Sequence, residues 1–131
     1  MRACIDEYVG RIARYAKVQE LELPDEDEAS VAARFARAIP ERARTIALEV
    51  DGARVTSGGL AKLVERAQND AVPALAFLIG GSYGLPKATS QGAHVRLSLS
   101  DLTLPHRLAR LVLVEQIYRA YTILRGEPYS H

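Results

Sequence analysis

An α/β fold in three layers, with parallel strands in the middle layer, is predicted by three features of the sequence. Segments with the strand pattern alternate with segments of helical periodicity along the 131 residues. Residues 74–79 are a continuous apolar run, which is typical of a strand in a parallel sheet covered on both faces. A glycine-rich turn follows that strand. The length fits a single domain, residues 1–131, without internal repeat or linker.

The chain is predicted to open with two helices and a short strand between them. Apolar side chains recur every three or four positions in residues 5–16, which is helical periodicity. Residues 18–23 alternate apolar and polar side chains before Pro24, so they are predicted to form a strand. Residues 28–38, rich in Ala and Arg, are predicted to form the second helix, which Pro40 ends.

The middle of the chain is predicted to contain a strand, a helix and the central apolar strand. Residues 45–50 have the strand pattern and are followed by the Asp51-Gly52 dipeptide, which predicts a turn that ends the strand. Ser57 stands where an N-cap is expected, so the third helix is predicted to run from there to about residue 69.

The last two predicted elements are a strand and a long helix. Residues 94–100 alternate in the strand pattern, after a weak helical stretch. Residues 104–124 are predicted to form the longest helix, which is apolar over much of its circumference. A surface helix needs one apolar stripe, so we expect this helix to be buried on two sides, as at a dimer interface.

Charge and composition narrow the classes of function. Seventeen Lys and Arg against sixteen Asp and Glu give a net charge of +1, which argues against tight binding of naked nucleic acid, DNA included. Residues 86–131 contain six basic and three acidic residues, so the positive charge lies towards the C-terminus. The acidic run at residues 25–28 is interpreted as a solvated turn before a helix.

The expected location is the cytoplasm, with no membrane partner. Cys4 is the single cysteine, so no disulfide can form within the chain. Asp6 and Glu7 lie where a secretory signal would be apolar. The most apolar stretch, residues 72–81, is far shorter than the roughly 20 residues that cross a bilayer.

The glycine turn at residues 79–85, Ile-Gly-Gly-Ser-Tyr-Gly-Leu, is the first candidate for a ligand site. Because glycine lacks a Cβ atom, a ligand can approach its backbone closely. The alternative is a strand-to-helix turn that needs glycine for its own backbone angles. The turn is not a phosphate-binding P-loop, because Pro86, Lys87 and Ala88 stand where Gly, Lys and Ser or Thr are required. It is not a dinucleotide fingerprint either, because Ser82 replaces the second glycine.

Three further motifs follow the turn in order. They are Leu-Ser-Asp-Leu-Thr-Leu-Pro-His at residues 99–106, Glu-Gln-Ile-Tyr-Arg-Ala-Tyr at residues 115–121, and Pro-Tyr at residues 128–129. Together with the glycine turn they resemble the SPOUT-class family that methylates N3 of a pseudouridine in bacterial 23S ribosomal RNA. The likeness spans residues 48–129, and four ordered motifs at matching spacing are far more specific than any one of them.

The resemblance implies a trefoil-knotted α/β fold, which is an exception to the rule that protein chains avoid knots. It also implies a homodimer that uses S-adenosylmethionine and no metal, and that acts on 23S ribosomal RNA in the assembled ribosome. In the family the cofactor lies in the knot, held chiefly by backbone groups. The matching positions here are Leu48, Gly81, Ser100, Asp101, Leu102, Thr103, Leu104 and Pro105.

The implied reaction is direct transfer of the sulfonium methyl group to N3, with removal of the N3 proton as a second contribution. The candidate catalytic residues are His106, Arg119, Tyr129 and His131, and Glu115 is available to orient them. Each has a structural alternative. His106 can be a helix-start residue satisfied by backbone groups, and Glu115 with Arg119 can be an ordinary i,i+4 pair.

The sequence departs from the family pattern in two places. The family ends in Pro-Tyr-His and a basic residue, whereas here Ser130 displaces the histidine to position 131. The family also has a strand before its first helix, and this sequence starts at that helix. Either the start codon is assigned late or the sheet has lost this strand, and a knotted dimer that binds RNA or cofactor without catalysis is the alternative function.

Overall fold

The computed structural model describes residues 1–129, and Ser130 and His131 lie outside the described part. Five helices and three strands follow one another in this order: α1 Arg2–Ile12, α2 Glu28–Ala38, β1 Arg44–Arg54, α3 Ser57–Asn69, β2 Leu75–Leu78, α4 Lys87–Gln91, β3 Val95–Ser98 and α5 His106–Arg125. None of the helices in the described part is both long and apolar enough to span a bilayer.

The three strands form one parallel sheet in the order β2-β1-β3. Ile46 in β1 lies opposite Phe77 in β2 and Val95 in β3. His94 fixes the start of β3 against β1, because its backbone N–H donates to Thr45 Oγ1 at 3.0 Å and its Nδ1 accepts from the Thr45 N–H at 3.0 Å. The prediction of an α/β fold with parallel strands is confirmed. The trefoil knot stays a prediction.

Helices cover both faces of the sheet. On one face, Ile46 and Leu97 pack against Leu60 and Val64 of α3 and against Ala120 of α5, in the main hydrophobic core. On the other face, α2 and α4 lie over the sheet around a small apolar cavity of about 260 Å³. None of the residues of α2 is fully buried, so this layer is packed more loosely than the first.

Helix α5 has a second covering within the same chain, because α1 packs along it. Ile5 and Ile12 of α1 form a second buried cluster with Val114 of α5. Helix α5 is therefore buried on two sides, as expected. The sheet and α3 cover one side, and α1 covers the other. A third stripe of partly exposed apolar side chains is left on α5, formed by Leu108, Val112 and Ile123, which belong to neither cluster.

The predicted strand at residues 18–23 is wrong, because this segment has no strand structure. A strand requires a neighbouring row of backbone groups, and none of the three strands pairs with the segment. It is attached by side chains instead, since the Glu20 carboxylate binds Arg2 at 2.6 Å and Arg110 at 2.8 Å. Leu21 is left largely exposed.

Two predicted boundaries are also corrected. The dipeptide Asp51-Gly52 does not end β1, which continues to Arg54 after an irregularity between Leu48 and Ala53. The N-cap of α3 is Thr56, whose Oγ1 accepts from the Gly59 N–H at 3.0 Å, and not Ser57. The local sequence is compatible with a turn at Asp51-Gly52 and with a cap at Ser57. Pairing of β1 with β3 and packing of α3 on α5 determine the boundaries that form.

Candidate active site

A cavity of about 510 Å³ opens at the carboxyl edge of the parallel sheet. Three chain segments line it: residues 48–50 within β1, just past its pairing with β2, and residues from 79–85 after β2 and from 99–106 after β3, with Ala109 of α5 beside them. The carboxyl ends of parallel strands are the usual place for a ligand in an open α/β sheet, because the loops diverge there. The cavity is therefore the candidate active site.

The glycine turn forms one wall of the cavity, and its own geometry requires glycine. A Cβ atom on Gly80 would lie 2.4 Å from the carbonyl carbon of Gly84 and 2.5 Å from the backbone nitrogen of Leu85. Gly84 has a φ of +79°, a left-handed conformation that favours glycine. The turn therefore needs glycine for its own backbone, as the structural alternative stated. It also lines the cavity.

Gly81 differs from Gly80, because the space beside it is limited by a side-chain atom and not by backbone atoms. A Cβ atom there would lie 2.6 Å from Oδ1 of Asp25.

Asp25 belongs to the acidic run that was interpreted as a solvated turn, and the run is indeed mostly exposed. One member caps α2, since Asp27 accepts from the Ser30 hydroxyl and N–H, and these two hydrogen bonds lower the pKa of its carboxyl.

The segment between β3 and α5 is held in shape by its serines. The Ser98 hydroxyl donates to the Ser100 carbonyl at 2.8 Å, and the Ser100 hydroxyl accepts from the Leu102 N–H at 2.9 Å. The segment therefore curls over the cavity, and Leu102 lies on its rim with an exposed fraction of 74%. His106 follows as the first residue of α5 and also lines the cavity.

The structure brings most of the sequence-predicted cofactor residues together. Leu48 and Gly81 line the cavity, and so do Ser100, Leu102, Thr103, Leu104 and Pro105. Asp101 is not among the lining residues, and its carboxylate forms an exposed ion pair with Arg54 at 2.9 Å. The contacts of these residues with a cofactor remain a prediction.

The predicted catalytic residues fall into two groups. His106 lies on the cavity, and its side chain makes no hydrogen bond within residues 1–129. Arg119 lies 13 positions further along α5, which corresponds to about 20 Å at 1.5 Å per residue. Within one protomer, Arg119 is therefore far from His106. His131 lies outside the described residues.

Arg119 and Tyr129 belong to a cluster at the far end of α5, which we call the tail cluster: Tyr8, Glu115, Tyr118, Arg119 and Tyr129. Glu115 accepts from the Tyr129 hydroxyl at 2.6 Å and from Arg119 at 2.7 Å. The Arg119 guanidinium carbon lies 4.1 Å from the centre of the Tyr129 ring, a cation–π contact. The i,i+4 pair expected as the structural alternative is present, with Tyr129 added to it.

Burial and hydrogen bonds in the tail cluster shift the pKa values of Glu115 and Tyr129 in opposite directions. Burial opposes ionisation of Glu115, but hydrogen bonds from Tyr129 and Arg119 outweigh it and lower the pKa of this carboxyl. Burial, and then the hydrogen bond to Glu115, raise the pKa of the Tyr129 hydroxyl. Tyr129 therefore stays a neutral donor, since the neighbouring carboxylate disfavours a second negative charge.

Glu49 is a cavity residue that sequence reasoning missed. It lines the cavity next to Leu48, and its carboxylate accepts from the Ser90 hydroxyl at 2.9 Å. In the sequence Glu49 is one polar position of a predicted strand, so no local signal marks it. Among the described residues no cluster of His, Cys, Asp and Glu is suited to hold a metal ion.

The class of protein follows from comparison with known families. The family described as "Predicted SPOUT methyltransferase" matches residues 1–131. The chain belongs to this family, which confirms the resemblance seen in the sequence motifs and makes the protein an enzyme of the methyltransferase class.

Relatives carry a more particular name. A protein of Sorangium cellulosum named ribosomal RNA large subunit methyltransferase H is 52% identical over 131 residues, covering 100% of this chain and 90% of that protein. Its namesake from Geobacter metallireducens is 41% identical over 138 residues, with the same coverage of 100% and 90%. The namesake from Listeria monocytogenes is 41% identical over 138 residues, covering 95% of this chain and 87% of the relative.

Proposed function

We propose that this chain is an S-adenosylmethionine-dependent ribosomal RNA methyltransferase that acts, as a homodimer in the cytoplasm, on N3 of a pseudouridine in 23S ribosomal RNA. One observation carries the proposal: two of the four motifs that resemble the methyltransferase family, the glycine turn and residues 99–106, meet at a single cavity on the carboxyl edge of the sheet. The names of the relatives support ribosomal RNA of the large subunit as the substrate. The choice of N3 and of a pseudouridine rests on the motif resemblance.

The cavity fits the cofactor in size and in chemistry. Its volume of about 510 Å³ lies within the range of roughly 300–1,000 Å³ found for sites of small ligands. Leu48, Ile79 and Leu104 offer apolar surface to a flat base. Ser100 and Thr103 add side-chain hydroxyls to the lining.

When bound, S-adenosylmethionine supplies a methyl group on a positively charged sulfur. The protein's first task is to hold the target nitrogen in line with that group, and alignment is expected to give most of the rate enhancement. Accepting the N3 proton contributes typically about 10²–10⁴-fold more. His106 is the base candidate on the cavity, since its imidazole lies at the start of α5 and is free of other hydrogen bonds within the described residues.

Arg119 and Tyr129 are proposed to complete the RNA side of the site, and their position constrains how. Arg119 lies about 20 Å from His106 along α5, so it reaches a cavity only from a second protomer, whereas Tyr129 reaches one from a second protomer or after movement of the tail. The partly exposed stripe of Leu108, Val112 and Ile123 runs along α5 on the way to Arg119. Dimerisation through this stripe would place tail residues of one protomer near the other.

The charge of the protein favours an assembled target over free RNA. A net charge of +1 offers little affinity from phosphate neutralisation, which dominates binding of naked nucleic acid. RNA-specific recognition uses shape and exposed loops in addition, and an assembled ribosome presents both in a fixed arrangement. We therefore propose the ribosome, and not isolated 23S ribosomal RNA, as the substrate.

The test is transfer of a labelled methyl group from S-adenosylmethionine to ribosomes of a strain that lacks the enzyme, followed by mass mapping of the ribosomal RNA. We expect one modified pseudouridine in 23S ribosomal RNA, and much slower transfer to deproteinised RNA. Equal rates on both substrates would contradict the ribosome assignment. Methylation of another base, or of protein, would overturn the proposed target.

The alternative is a dimer that binds cofactor or RNA without catalysis, and the separation of His106 from the tail cluster is the observation that favours it. Calorimetry distinguishes the two functions. Binding of S-adenosylmethionine without transfer to any ribosomal substrate would support the alternative.

A further inference from the structure

Among the described residues that line the cavity, Glu49 is the one acidic residue, and His106 is the one other with an ionisable side chain of the acid–base type. The remaining lining residues are apolar, glycine, serine, threonine or proline. In such surroundings a single carboxylate has a disproportionate effect on the charge of the ligand that the cavity accepts, because few other charges compete with it.

The backbone irregularity of β1 places Glu49 at the cavity. Regular pairing of β1 with β3 ends at Leu48 and resumes at Ala53, so residues 49–52 bulge out between two paired stretches. Gly52 fixes the far side of the bulge, since a Cβ atom there would lie 2.7 Å from the carbonyl carbon of Leu97. Glu49 is thus held on a backbone segment that is fixed at both ends.

The side chain of Glu49 is held as firmly as its backbone. Its Oε2 accepts from the hydroxyl of Ser90, which is 3% exposed, and lies 3.4 Å from Nη2 of Arg96. Arg96 also donates from Nε to Ser90 Oγ at 3.0 Å, so the three side chains form a closed network. Glu49 Oε1 takes part in no hydrogen bond within the described part of the chain.

The network keeps a negative charge and is not neutralised by its arginine. Arg96 pairs with Asp51 at 3.0 Å as well as with Glu49, so one guanidinium serves two carboxylates. Because Asp51 is the more exposed of the two and is not among the lining residues, the excess negative charge acts on the cavity through Glu49.

We propose that Glu49 is the residue that selects for positive charge in the ligand of this cavity, with Ser90 and Arg96 as the residues that position it. The inference rests on the proposed function, in which the ligand is S-adenosylmethionine, and it names the group that would recognise the sulfonium or ammonium of that molecule. A carboxylate attracts either cation with a strength that depends on distance and on screening by water and salt.

The test compares three ligands of decreasing positive charge by calorimetry on the full chain. S-adenosylmethionine carries a sulfonium and an ammonium, S-adenosylhomocysteine only the ammonium, and methylthioadenosine neither. For Glu49→Gln, whose amide oxygen can still accept from Ser90, we expect the affinity for S-adenosylmethionine to fall about fivefold to thirtyfold, and the affinity for methylthioadenosine to stay within about twofold. The loss should shrink at high salt.

Two control variants separate local charge from general effects. Glu65→Gln removes an exposed carboxylate of α3 and should leave all three affinities unchanged. Asp51→Asn removes the other carboxylate on Arg96 and should weaken S-adenosylmethionine binding by less than Glu49→Gln does. A thermal unfolding curve of each variant checks that the fold is kept.

The outcomes distinguish the inference from the function on which it rests. A loss confined to S-adenosylmethionine supports recognition of the sulfonium, and an equal loss for S-adenosylhomocysteine supports recognition of the ammonium. An equal loss for the neutral ligand, or no loss at all, overturns the role of Glu49 while the cofactor assignment stands. If the unmodified protein binds none of the three ligands, the proposed cofactor itself is wrong and the inference falls with it.

Discussion

Neighbouring glycines in the turn at residues 80–84 show how two identical residues can have different requirements. Gly80 is confined by backbone atoms of Gly84 and Leu85, which cannot move without rebuilding the turn. Gly81 is confined by the end of the Asp25 side chain, which is exposed and can rotate away. At the scale of single residues, the kind of neighbouring atom therefore decides the effect of a substitution.

We predict that Gly80→Ala disrupts the cavity, whereas Gly81→Ala does not. A methyl group on Gly80 forces the turn to shift by several tenths of an ångström, so the affinity for S-adenosylmethionine should fall at least about tenfold, with overpacking costing roughly 1–3 kcal/mol of stability. Gly81→Ala should change affinity less than about threefold. Calorimetry and urea unfolding of both variants measure the two effects. Asp25→Ala combined with Gly81→Ala is the control, and a large loss in that double variant would show that the methyl group meets the ligand.

At the scale of elements, α5 connects the cavity, the main core and α1. Its N-terminus lies on the cavity at His106, its middle packs on α3 and the sheet around Ala120, and its other side carries α1 through Val114. Helix α1 makes no contribution to the sheet core, and its buried residues Ile5 and Ile12 face α5. The attachment of α1 therefore depends on this one helix pair.

We predict that Ile12→Ala lowers the free energy of unfolding by about 2–4 kcal/mol, because the side chain is 3% exposed and its removal leaves a cavity between α1 and α5. Equilibrium unfolding in urea measures the change. Cys4→Ser, an exposed position on the same helix, is the matched control and should change stability by less than about 0.5 kcal/mol. A cost below about 1 kcal/mol for Ile12→Ala would contradict the packing of α1 on α5.

The tail after α5 gives a second prediction at this scale. Deleting residues 129–131 should leave the affinity for S-adenosylmethionine within about twofold, because every described residue that lines the cavity belongs to another segment. Methyl transfer to ribosomes should fall by roughly 10²–10⁴-fold, the loss typical of a missing general base, because His131 is the tail's candidate proton acceptor.

A milder variant separates the tail's own groups. Tyr129→Phe keeps the ring against Arg119 but removes the donor to Glu115, and it should reduce transfer less than the deletion does. Transfer at the full rate by the deleted protein would place the proton acceptor elsewhere, with His106 as the next candidate.

At the scale of the whole molecule, the distribution of exposed apolar side chains is uneven. Val50, Tyr83 and Leu102 are exposed around the mouth of the cavity, and Ile123 is exposed on the third stripe of α5. Exposed apolar groups that lie together usually mark a contact with a partner. Both surfaces are accordingly where a ribosome or a second protomer is expected.

We predict a C2 homodimer that buries the stripe of Leu108, Val112 and Ile123. Light scattering at micromolar concentration should give about twice the mass of one chain, and Ile123→Glu should shift the equilibrium to monomer because the interface is self-complementary and receives the charge twice. Leu21→Glu, an exposed apolar position outside this stripe, is the control and should leave the dimer intact. A purely monomeric protein would contradict the proposed assembly.

The sequence by itself determined the fold class, the family and most of the lining of the cavity. Unbroken apolarity at residues 74–79 and glycine at positions 80 and 84 are local requirements, so they are visible without coordinates. The motif at residues 99–106 likewise identified the loop that lines the cavity, because its residues are visible in the sequence. Tertiary structure alone decided that residues 18–23 form no strand, because a strand exists only beside a neighbour. Tertiary structure also decided that the Asp101 carboxylate pairs with Arg54. Glu49 lines the cavity because of the bulge in β1, which pairing with β3 creates.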